Sequence, residues 1–126
     1  SNSDKVDQTP RDIFIKPGKN AKMNCKHKID NYNQILWYKQ SNKQMQLLGY
    51  MFTTTSNPET DVKVKMEGDA SKGKNCTLII ERVNQSSSAV YFCAASFHSA
   101  GLVVCRRSGR GLRLPVVSIE TSIKVI

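Results

Sequence analysis

The sequence contains no long apolar stretch and no regular helical pattern. Within its 126 residues, no apolar run approaches the roughly 18 residues that a membrane-spanning helix requires. No signal peptide is visible at the start, and no window of about 11 residues repeats apolar side chains at helical spacing. We therefore expect little helix and no direct membrane contact by this domain. If the protein is secreted or tethered, we expect its leader and anchor to lie outside these residues.

The chain is also poor in the residues that enzymes and metal sites use. It has two histidines, and neither belongs to a Ser-His-Asp or Cys-His arrangement with a supporting turn motif. The set Cys76, Cys105, His27 and His98 lacks the ligand spacing of zinc sites. We therefore expect no enzyme, no catalytic residue, no metal and no cofactor.

Positive charge is in excess, with 19 lysines and arginines against 10 acidic residues and a net charge of +9. Such a balance raises nucleic acid or an acidic membrane as partners. Most basic residues are scattered, however, or alternate with apolar ones, as Lys63 and Lys65 do, which is typical of the solvated face of a strand. No aromatic-basic stripe accompanies them. We expect no nucleic-acid partner; only the cluster Arg106, Arg107 and Arg110 is dense enough to suggest a contact.

What the sequence does have is a series of short alternating segments separated by turn residues. Apolar residues occupy every second position in residues 13–15, 21–25, 35–37, 62–66, 78–80 and 89–93. Residues 53–60 and 68–75 are polar and turn-like, and one short helical turn fits within residues 83–88. The pattern predicts a single all-β domain over residues 1–126, most simply a sandwich of two antiparallel sheets.

Four cysteines in so short a chain favour an oxidising compartment. Two sequons for asparagine-linked glycosylation agree with that compartment, one at Asn75 and one at Asn84. The cysteine at the middle position of the first sequon makes Asn75 the poorer acceptor. Both asparagines remain candidate glycan sites.

Landmark residues follow the order typical of an immunoglobulin domain: Cys25, then Trp37, then Tyr91 two positions before Cys93. Four longer motifs add detail. They are VDQTP at residues 6–10, LWYKQ at 36–40, LLGY at 47–50 and SAVYFCAAS at 88–96. Together these segments resemble a variable domain of an antigen receptor, most of all a T-cell receptor beta-chain variable domain, over about residues 5–96.

The resemblance implies a fold and its framework. It implies an immunoglobulin V-type β-sandwich with Greek-key topology and nine strands. A Cys25–Cys93 disulfide would join the two sheets, Trp37 would pack against it in the core, and Tyr91 would hydrogen-bond to backbone at the lower corner. Where the family has an acidic residue near that corner, this chain has Ser87, so the family's ion pair is lost or replaced.

The resemblance also implies a receptor that recognises peptide held by histocompatibility molecules, or another cell-surface protein ligand. Its three loops would lie at residues 27–33, at 51–57 and after Cys93, with a fourth turn at 68–74 beside them. Candidate ligand contacts are Lys28, Asp30, Asn31, Tyr32, Phe52, Thr53, Thr54, Phe97, His98, Leu102, Arg106, Arg107 and Arg110.

Such receptors are heterodimers, so the resemblance implies a second V-domain chain and a place in the extracellular part of a plasma-membrane receptor. Strand alternation puts Tyr38 and Gln40 on the face opposite Trp37. With Leu47 and Phe92 they form the predicted pairing surface, since aromatic residues on an outer face indicate a partner. The alternative is a non-rearranging or unpaired V-type immune receptor or adhesion domain, which the unusual end of the chain favours.

That end departs from the family, whose last strand opens with an aromatic-Gly-x-Gly bulge. In one alignment, residues 108–111 occupy the bulge and the strand follows at 112–117. In the other, which we favour, the last strand is 117–126, and the third loop spans 94–116 with a partial strand at 112–116. The residues predicted to face the core are then Val117, Ile119, Thr121, Ile123 and Val125.

The long third loop contains Cys105 under either alignment. Cys105 could bridge to Cys76, bond to a second chain or stay free. A Cys76–Cys105 bridge would pin the loop across the top of the domain, provided that the two α-carbons come within about 7 Å. The sequence leaves these three states open.

Overall fold

The fold is a β-sandwich, seen here in a computed structural model that describes residues 5–97 and 115–126. Eleven strand segments and one short 3-10 helix make up its regular structure in those two ranges. The strands are β1 Val6–Thr9, β2 Asp12–Ile15, β3 Ala21–His27, β4 Gln34–Ser41, β5 Gln44–Phe52, β6 Thr55–Pro58, β7 Val64–Gly68, β8 Cys76–Ile80, β9 Ala89–Ser96, β10 Val116–Val117 and β11 Thr121–Val125. The 3-10 helix is Gln85–Ser87, at the helical turn expected within residues 83–88.

The strands form two sheets. One has the order β1-β3-β8-β7, and the other β2-β11-β9-β4-β5-β6, with β10 also paired to β9. Strand pairs are antiparallel except β2 and β11, which run parallel. β1 and β2 are one strand that changes sheet at the cis Thr9–Pro10 bond, and β10 and β11 are two parts of the last strand. Eleven segments therefore correspond to the nine strands that the resemblance implies.

Alternation of apolar and polar residues explains why the two sheets face each other. In β3 the buried positions are every second residue from Ala21 to His27, and in β11 they are Thr121, Ile123 and Val125. Side chains of a strand point alternately to its two faces, so each strand contributes one row to the shared core. The core between the sheets is therefore the one that the sequence pattern predicts.

The framework residues occupy the expected positions. A disulfide joins Cys25 to Cys93 with an α-carbon separation of 6.4 Å and closes a loop of 68 residues, which contributes on the order of 4 kcal/mol in the chain-entropy model. Trp37 is fully buried. The Tyr91 hydroxyl donates to the Ser87 carbonyl at 2.7 Å. In place of an ion pair, the Ser87 hydroxyl accepts from the Asn84 backbone N–H at 3.1 Å.

The last strand confirms the favoured alignment. Thr121 to Ile123 pair with Tyr91 to Ala89, so residues after 117 complete the sheet beside the strand that carries Cys93. One detail of the prediction is wrong. Val117 is 49% exposed and Ser118 is buried, because the alternation shifts between β10 and β11.

Ser118 can face the core because its hydroxyl bonds to the side chain of Gln8. The Gln8 side chain is buried and accepts hydrogen bonds at Oε1 from the Ser118 hydroxyl, at 2.5 Å, and from the Cys93 N–H, at 2.9 Å. Its Nε2 donates to the Tyr91 carbonyl at 3.0 Å and to Thr121 Oγ1 at 2.9 Å. The last strand is thus held through polar side chains where family members have a glycine bulge.

Two segments predicted as loops are strands. Within residues 53–60, β6 pairs with β5 as an edge strand, although its side chains show no apolar alternation. Residues 94–96 are buried and continue β9, where Ala94 and Ala95 pair with β10. The third loop therefore starts after Ser96, and only residues 97 and 115 of it lie within the described ranges.

Cys76 is a free, fully buried thiol directly opposite Cys25 in the β3–β8 ladder. Of the three states that the sequence left open for the second pair of cysteines, the structure shows Cys76 as a free thiol within the core. Burial raises the pKa of the Cys76 thiol to about 12, against a smaller lowering by the neighbouring Trp37 indole N–H. That N–H has no partner of hydrogen-bond geometry among the described residues. Cys105 itself lies outside those residues.

Candidate binding end and pairing face

The first loop and the fourth turn bring most of the predicted contact residues to one end of the sandwich. Lys28, Asp30 and Asn31 are exposed in the first loop, residues 28–33. Tyr32 is an exception: it is 8% exposed and packs in the core beside the His27 ring, with 6.4 Å between ring centroids. The prediction of Tyr32 as a surface contact is therefore wrong, because its ring fills the base of the loop.

The second loop is shorter than the predicted 51–57. Met51 is buried, Phe52 is partly buried, and the turn itself consists of Thr53 and Thr54. Thr53 has a φ of 49°, a left-handed conformation that is strained for a β-branched residue. Such strain persists only where surrounding contacts impose it, and here it lies at the tip of a hairpin in the binding end.

The third loop is represented by Phe97, which is 44% exposed. Five more predicted contacts lie outside the described residues, as does the remainder of that loop. They are His98, Leu102, Arg106, Arg107 and Arg110.

Backbone hydrogen bonds connect the loops in sequence. The Asn33 N–H donates to the Ser96 carbonyl at 3.2 Å, the Thr53 N–H to the Asn33 carbonyl at 2.9 Å, and the Ala70 N–H to the Thr53 carbonyl at 2.8 Å. These bonds lead from the end of β9 through the first and second loops to the fourth turn. That turn spans residues 69–75, not the predicted 68–74, because Gly68 ends β7 and Cys76 begins β8. These bonds also account for the conformation of Thr53, whose N–H and carbonyl are both engaged.

His27 completes the connection, and sequence reasoning missed its role. It ends β3, is 1% exposed, and its Nε2 lies 2.8 Å from the Ala70 carbonyl. Its Nδ1 accepts from the Ile29 N–H at 3.1 Å, and its carbonyl accepts from the Gly73 N–H at 2.8 Å. Because the first loop joins His27 to Asn33, these bonds close a ring, which we call the loop circuit: His27, Asn33, Thr53 and Ala70.

Charged side chains reinforce the same connection from outside. Lys72 of the fourth turn forms an ion pair with Asp30 of the first loop at 2.5 Å. The hydrogen bond from Lys72 lowers the pKa of Asp30. The pKa of Asp69 is lowered by hydrogen bonds from the side chain and backbone of Ser71. Both carboxylates therefore stay charged at pH values below those at which aspartate ordinarily takes up a proton. The ion pair between Lys72 and Asp30 is exposed enough to be weakened by salt.

The predicted pairing surface is a row of side chains on the outer face of the larger sheet. Tyr38 is the register partner of Phe92 on one side and of Leu47 on the other, so the three side chains lie next to one another. Gln40 lies in the adjacent row, and all four residues are partly exposed. Desolvation raises the pKa of Tyr38. We call these four residues the pairing face.

Two exposed apolar residues extend the pairing face and were not predicted. Met45, the register partner of Gln40, is 55% exposed, and Val117, the partner of Ala94, is 49% exposed. The periodicity of β5 would have found Met45, since Leu47 lies two positions away. Val117 was assigned to the core because the shift at Ser118 carries no sequence signal.

The two candidate glycosylation sites are both exposed. The Asn75 side chain accepts from Asn24 Nδ2 at 3.0 Å, and the Asn84 side chain accepts from the backbone N–H of Ser86 at 2.9 Å as the cap of the 3-10 helix. Each amide nitrogen therefore stands at the surface of a turn, where a glycan could project into solvent.

Among residues 5–97 and 115–126, no three histidine, cysteine or acidic side chains are grouped so that they could hold a metal ion. The same residues include no helix that is long and apolar enough to cross a membrane. What the site offers is a rigid scaffold with loops at one end and an apolar outer face, an arrangement suited to binding macromolecules.

This combination of a two-sheet sandwich, an inter-sheet disulfide and a hydrogen-bonded loop end defines a V-type immunoglobulin domain. The family model for the Immunoglobulin V-set domain matches residues 8–117. The chain therefore belongs to the immunoglobulin V-set family, and β11 lies beyond the matched range.

Individual relatives are variable regions of T-cell receptors. The mouse T-cell receptor beta chain V region C5 is 29% identical over 113 residues, covering 89% of this chain and 91% of the relative. Human T cell receptor beta variable 7-2 is 32% identical, with coverages of 72% and 80%. Human T cell receptor alpha variable 36/delta variable 7 is 30% identical, with coverages of 75% and 81%. The chain is thus an antigen-receptor V domain most like those of T-cell receptors.

A solved structure agrees with the fold. It is described as "Structural basis of T cell specificity and activation by the bacterial superantigen toxic shock syndrome toxin-1". One of its chains superposes with a TM-score of 0.76 at 23% identity, over 96% of this chain and 98% of its own length. At that identity the likeness concerns architecture alone.

Proposed function

We propose that residues 1–126 form one non-catalytic V domain of a two-chain, T-cell receptor beta-like receptor. The domain pairs with a second V domain through the pairing face. With its loops it recognises peptide held by a histocompatibility molecule, or another cell-surface protein ligand. It belongs to the extracellular part of a plasma-membrane receptor.

The observation that carries the proposal is the row formed by Phe92, Tyr38 and Leu47. Three side chains aligned across three strands present a continuous apolar strip, and Met45 and Val117 leave about half of their surface in water beside it. Covering such a surface removes apolar area from water and stabilises an association by roughly 25 cal/mol per Å² before the costs of binding. A second V domain presents a surface of the same kind, so a face-to-face pair follows.

Pairing is tested by co-expressing the domain with a panel of V domains and measuring complex formation by sedimentation. We expect Leu47→Asp to abolish the complex, since it buries an unpaired carboxylate at the centre of the strip. The control is Lys22→Asp, an exposed position on the outer face of the other sheet. Equal complex formation by both variants would reject the pairing face.

Ligand recognition is tested with cells that each display one cell-surface protein, using the paired domain as the probe. We expect Phe97→Ala or Thr54→Asp to lower the affinity for any ligand so identified by at least about tenfold, as contact substitutions at a binding centre do. Lys22→Asp should leave that affinity unchanged. Binding by the unpaired domain alone would favour the single-domain receptor instead. That alternative is supported by the unusual last strand, which has Ser118 where the family has its glycine bulge.

We propose further that Asn84 and, less efficiently, Asn75 carry glycans when the chain passes through the secretory pathway. The test is the mass lost on treatment with a glycosidase, compared between the wild-type chain and Asn84→Gln. An unchanged mass in the wild-type chain would reject both sites.

A further inference from the structure

We propose that His27 is a pH-responsive positioning residue of the binding end: its neutral imidazole holds the start of the first loop, and its protonation releases that loop. The proposal rests on the function proposed above, in that the first loop is one of the loops that bind ligand. It concerns regulation of the site rather than a further contact, since the His27 ring is buried.

The partners of the two ring nitrogens define the protonation state. The Ala70 carbonyl can only accept, so Nε2 carries the hydrogen in the 2.8 Å contact between them. The Ile29 backbone N–H can only donate, so Nδ1 has no hydrogen in its 3.1 Å contact. The described geometry therefore requires the neutral imidazole with the proton on Nε2.

Protonation affects the two contacts differently. A hydrogen added at Nδ1 faces the Ile29 N–H, so a hydrogen bond is replaced by two opposed donors in a site that excludes water. The bond from Nε2 to the Ala70 carbonyl survives and gains charge assistance. The bond from the Gly73 N–H to the His27 carbonyl involves only backbone and is retained as well. The bond from the Lys28 N–H to the Lys5 carbonyl, at 2.9 Å, is likewise made by backbone alone. We therefore expect Ile29 and Asp30 to move, while Lys28 stays bonded to Lys5 and the fourth turn stays attached to β3.

Other ionisable groups on the surrounding elements are Lys5 and Asp7 beside β1, Lys28, Asp30 and Tyr32 in the first loop, Asp69, Lys72 and Lys74 in the fourth turn, and Cys76 at the start of β8. The pKa values of Asp30 and Asp69 are lowered by Lys72 and Ser71, respectively. Burial raises the pKa of Cys76 to about 12. These three groups keep one charge state between about pH 5 and 8, the window in which imidazole ordinarily titrates.

The direction of the pH effect follows from these contacts. The neutral ring is the bonded form, so the contribution of His27 to the loop circuit is present while the ring is neutral and is lost when a fall in pH protonates it. The ion pair between Asp30 and Lys72 is exposed and adds little. It therefore does not hold the first loop in place once the Ile29 contact is broken.

The test is a titration of the whole 126-residue chain by nuclear magnetic resonance, from about pH 7.5 to about pH 5. It follows the imidazole C–H signals and the backbone amides. We expect the amide signal of Ile29 to shift on the same curve as the His27 ring, and its protection from hydrogen exchange to fall about fivefold, as loss of one hydrogen bond implies. The amides of Gly73 and Ala70 should keep their protection. The chain has only one other histidine, so the His98→Gln variant identifies the His27 signals.

The matched variant is His27→Gln, whose amide nitrogen can still donate to the Ala70 carbonyl but cannot titrate. We expect it to retain the fold and to lose the pH dependence at Ile29. The proposal is overturned if the His27 ring titrates without moving Ile29, if the curve at Ile29 persists in His27→Gln, or if the ring stays neutral until the whole domain unfolds. Because the titration needs no ligand, such a failure removes the switch and leaves the proposed recognition function to its own test.

Discussion

The side chain of Gln8 should contribute strongly to the free energy of unfolding, because it bonds to two strands at once. Its amide contacts β9 at Tyr91 and Cys93 and the last strand at Ser118 and Thr121, through four hydrogen bonds of 2.5–3.0 Å. All four partners lie more than 80 positions away in the sequence, at separations of 83, 85, 110 and 113 residues. We predict that Gln8→Ala destabilises the domain without altering the loops.

The magnitude follows from which partners are left without a bond. Cys93 keeps a contact to the Ser118 hydroxyl at 3.1 Å, and Thr121 keeps the Pro10 carbonyl. The Tyr91 carbonyl loses a donor and the Ser118 hydroxyl loses an acceptor, each at a cost of about 1–3 kcal/mol when buried. Allowing for relaxation around the smaller side chain, we expect a loss of about 3 kcal/mol in the free energy of unfolding.

The assay is equilibrium unfolding in urea, followed by the fluorescence of Trp37, the single and fully buried tryptophan. At a slope of about 1.5 kcal/mol per M, the midpoint should fall by roughly 2 M. Gln46→Ala, the same substitution at an exposed position of β5, should cost less than about 0.5 kcal/mol. If the two variants unfold at the same urea concentration, the Gln8 bonds do not hold the last strand.

Gln8→Glu tests the same site by charge. A buried carboxylate facing the Tyr91 carbonyl disfavours ionisation, so the pKa of this glutamate should be higher in the folded than in the unfolded chain. A raised folded pKa means that stability is present at low pH and lost as the pH rises through it. We therefore expect Gln8→Glu to be more stable near pH 4 than near pH 7, relative to wild type at each pH; the opposite slope would contradict the geometry.

Three further predictions concern single groups. Tyr91→Phe removes the 2.7 Å bond to the backbone of the 3-10 turn and should cost about 1–2 kcal/mol in urea unfolding; no loss would mean that the corner bond is dispensable. Cys76, with its pKa raised to about 12 by burial, should resist alkylation in the native chain and react once unfolded, by peptide mass mapping; equal labelling rates would refute its burial. Gly68→Ala places a methyl group 2.2 Å from the Asn75 carbonyl oxygen, whereas the methyl group of Gly18→Ala meets no atom within 4 Å. Both positions have positive φ and share a backbone strain of roughly 1 kcal/mol. Gly68→Ala should therefore lower the melting temperature clearly more than Gly18→Ala does.

The parts of the fold that were predictable are those that each strand specifies locally. Alternation in β3, β4 and β9 assigned Cys25, Trp37, Tyr91 and Cys93 to the core, and alternation in β11 identified the last strand. The inward position of Ser118 was not predictable, because its partner Gln8 is 110 positions away. β6 was missed since an edge strand of polar residues, here Thr55–Pro58, carries no alternation against a core.

The candidate site was predictable to a similar extent. Exposed positions such as Lys28, Asp30 and Thr54 follow from the polarity of turns, and the pairing face follows from the alternation around Trp37. The loop circuit depends on contacts between residues 17, 20 and 43 positions apart, the last being that of His27 with Ala70. His27 and Tyr32 look like ordinary polar loop residues in sequence, and only the packing of the loop base makes them internal.

The loop circuit has a consequence for the grafting of binding loops from one receptor domain onto another. A first loop moved alone onto another sandwich would leave behind the bonding partners of both its ends, since Asn33 bonds to Thr53 and His27 bonds to Ala70, and these partners belong to other segments. The transferable unit is the first loop together with the Thr53–Thr54 hairpin tip and residues 69–75. Because the bonds at Asn33, Thr53 and Ala70 are made by backbone groups, such a transfer must preserve the conformation of the three segments, and His27 is the one member of the circuit whose side chain must be kept.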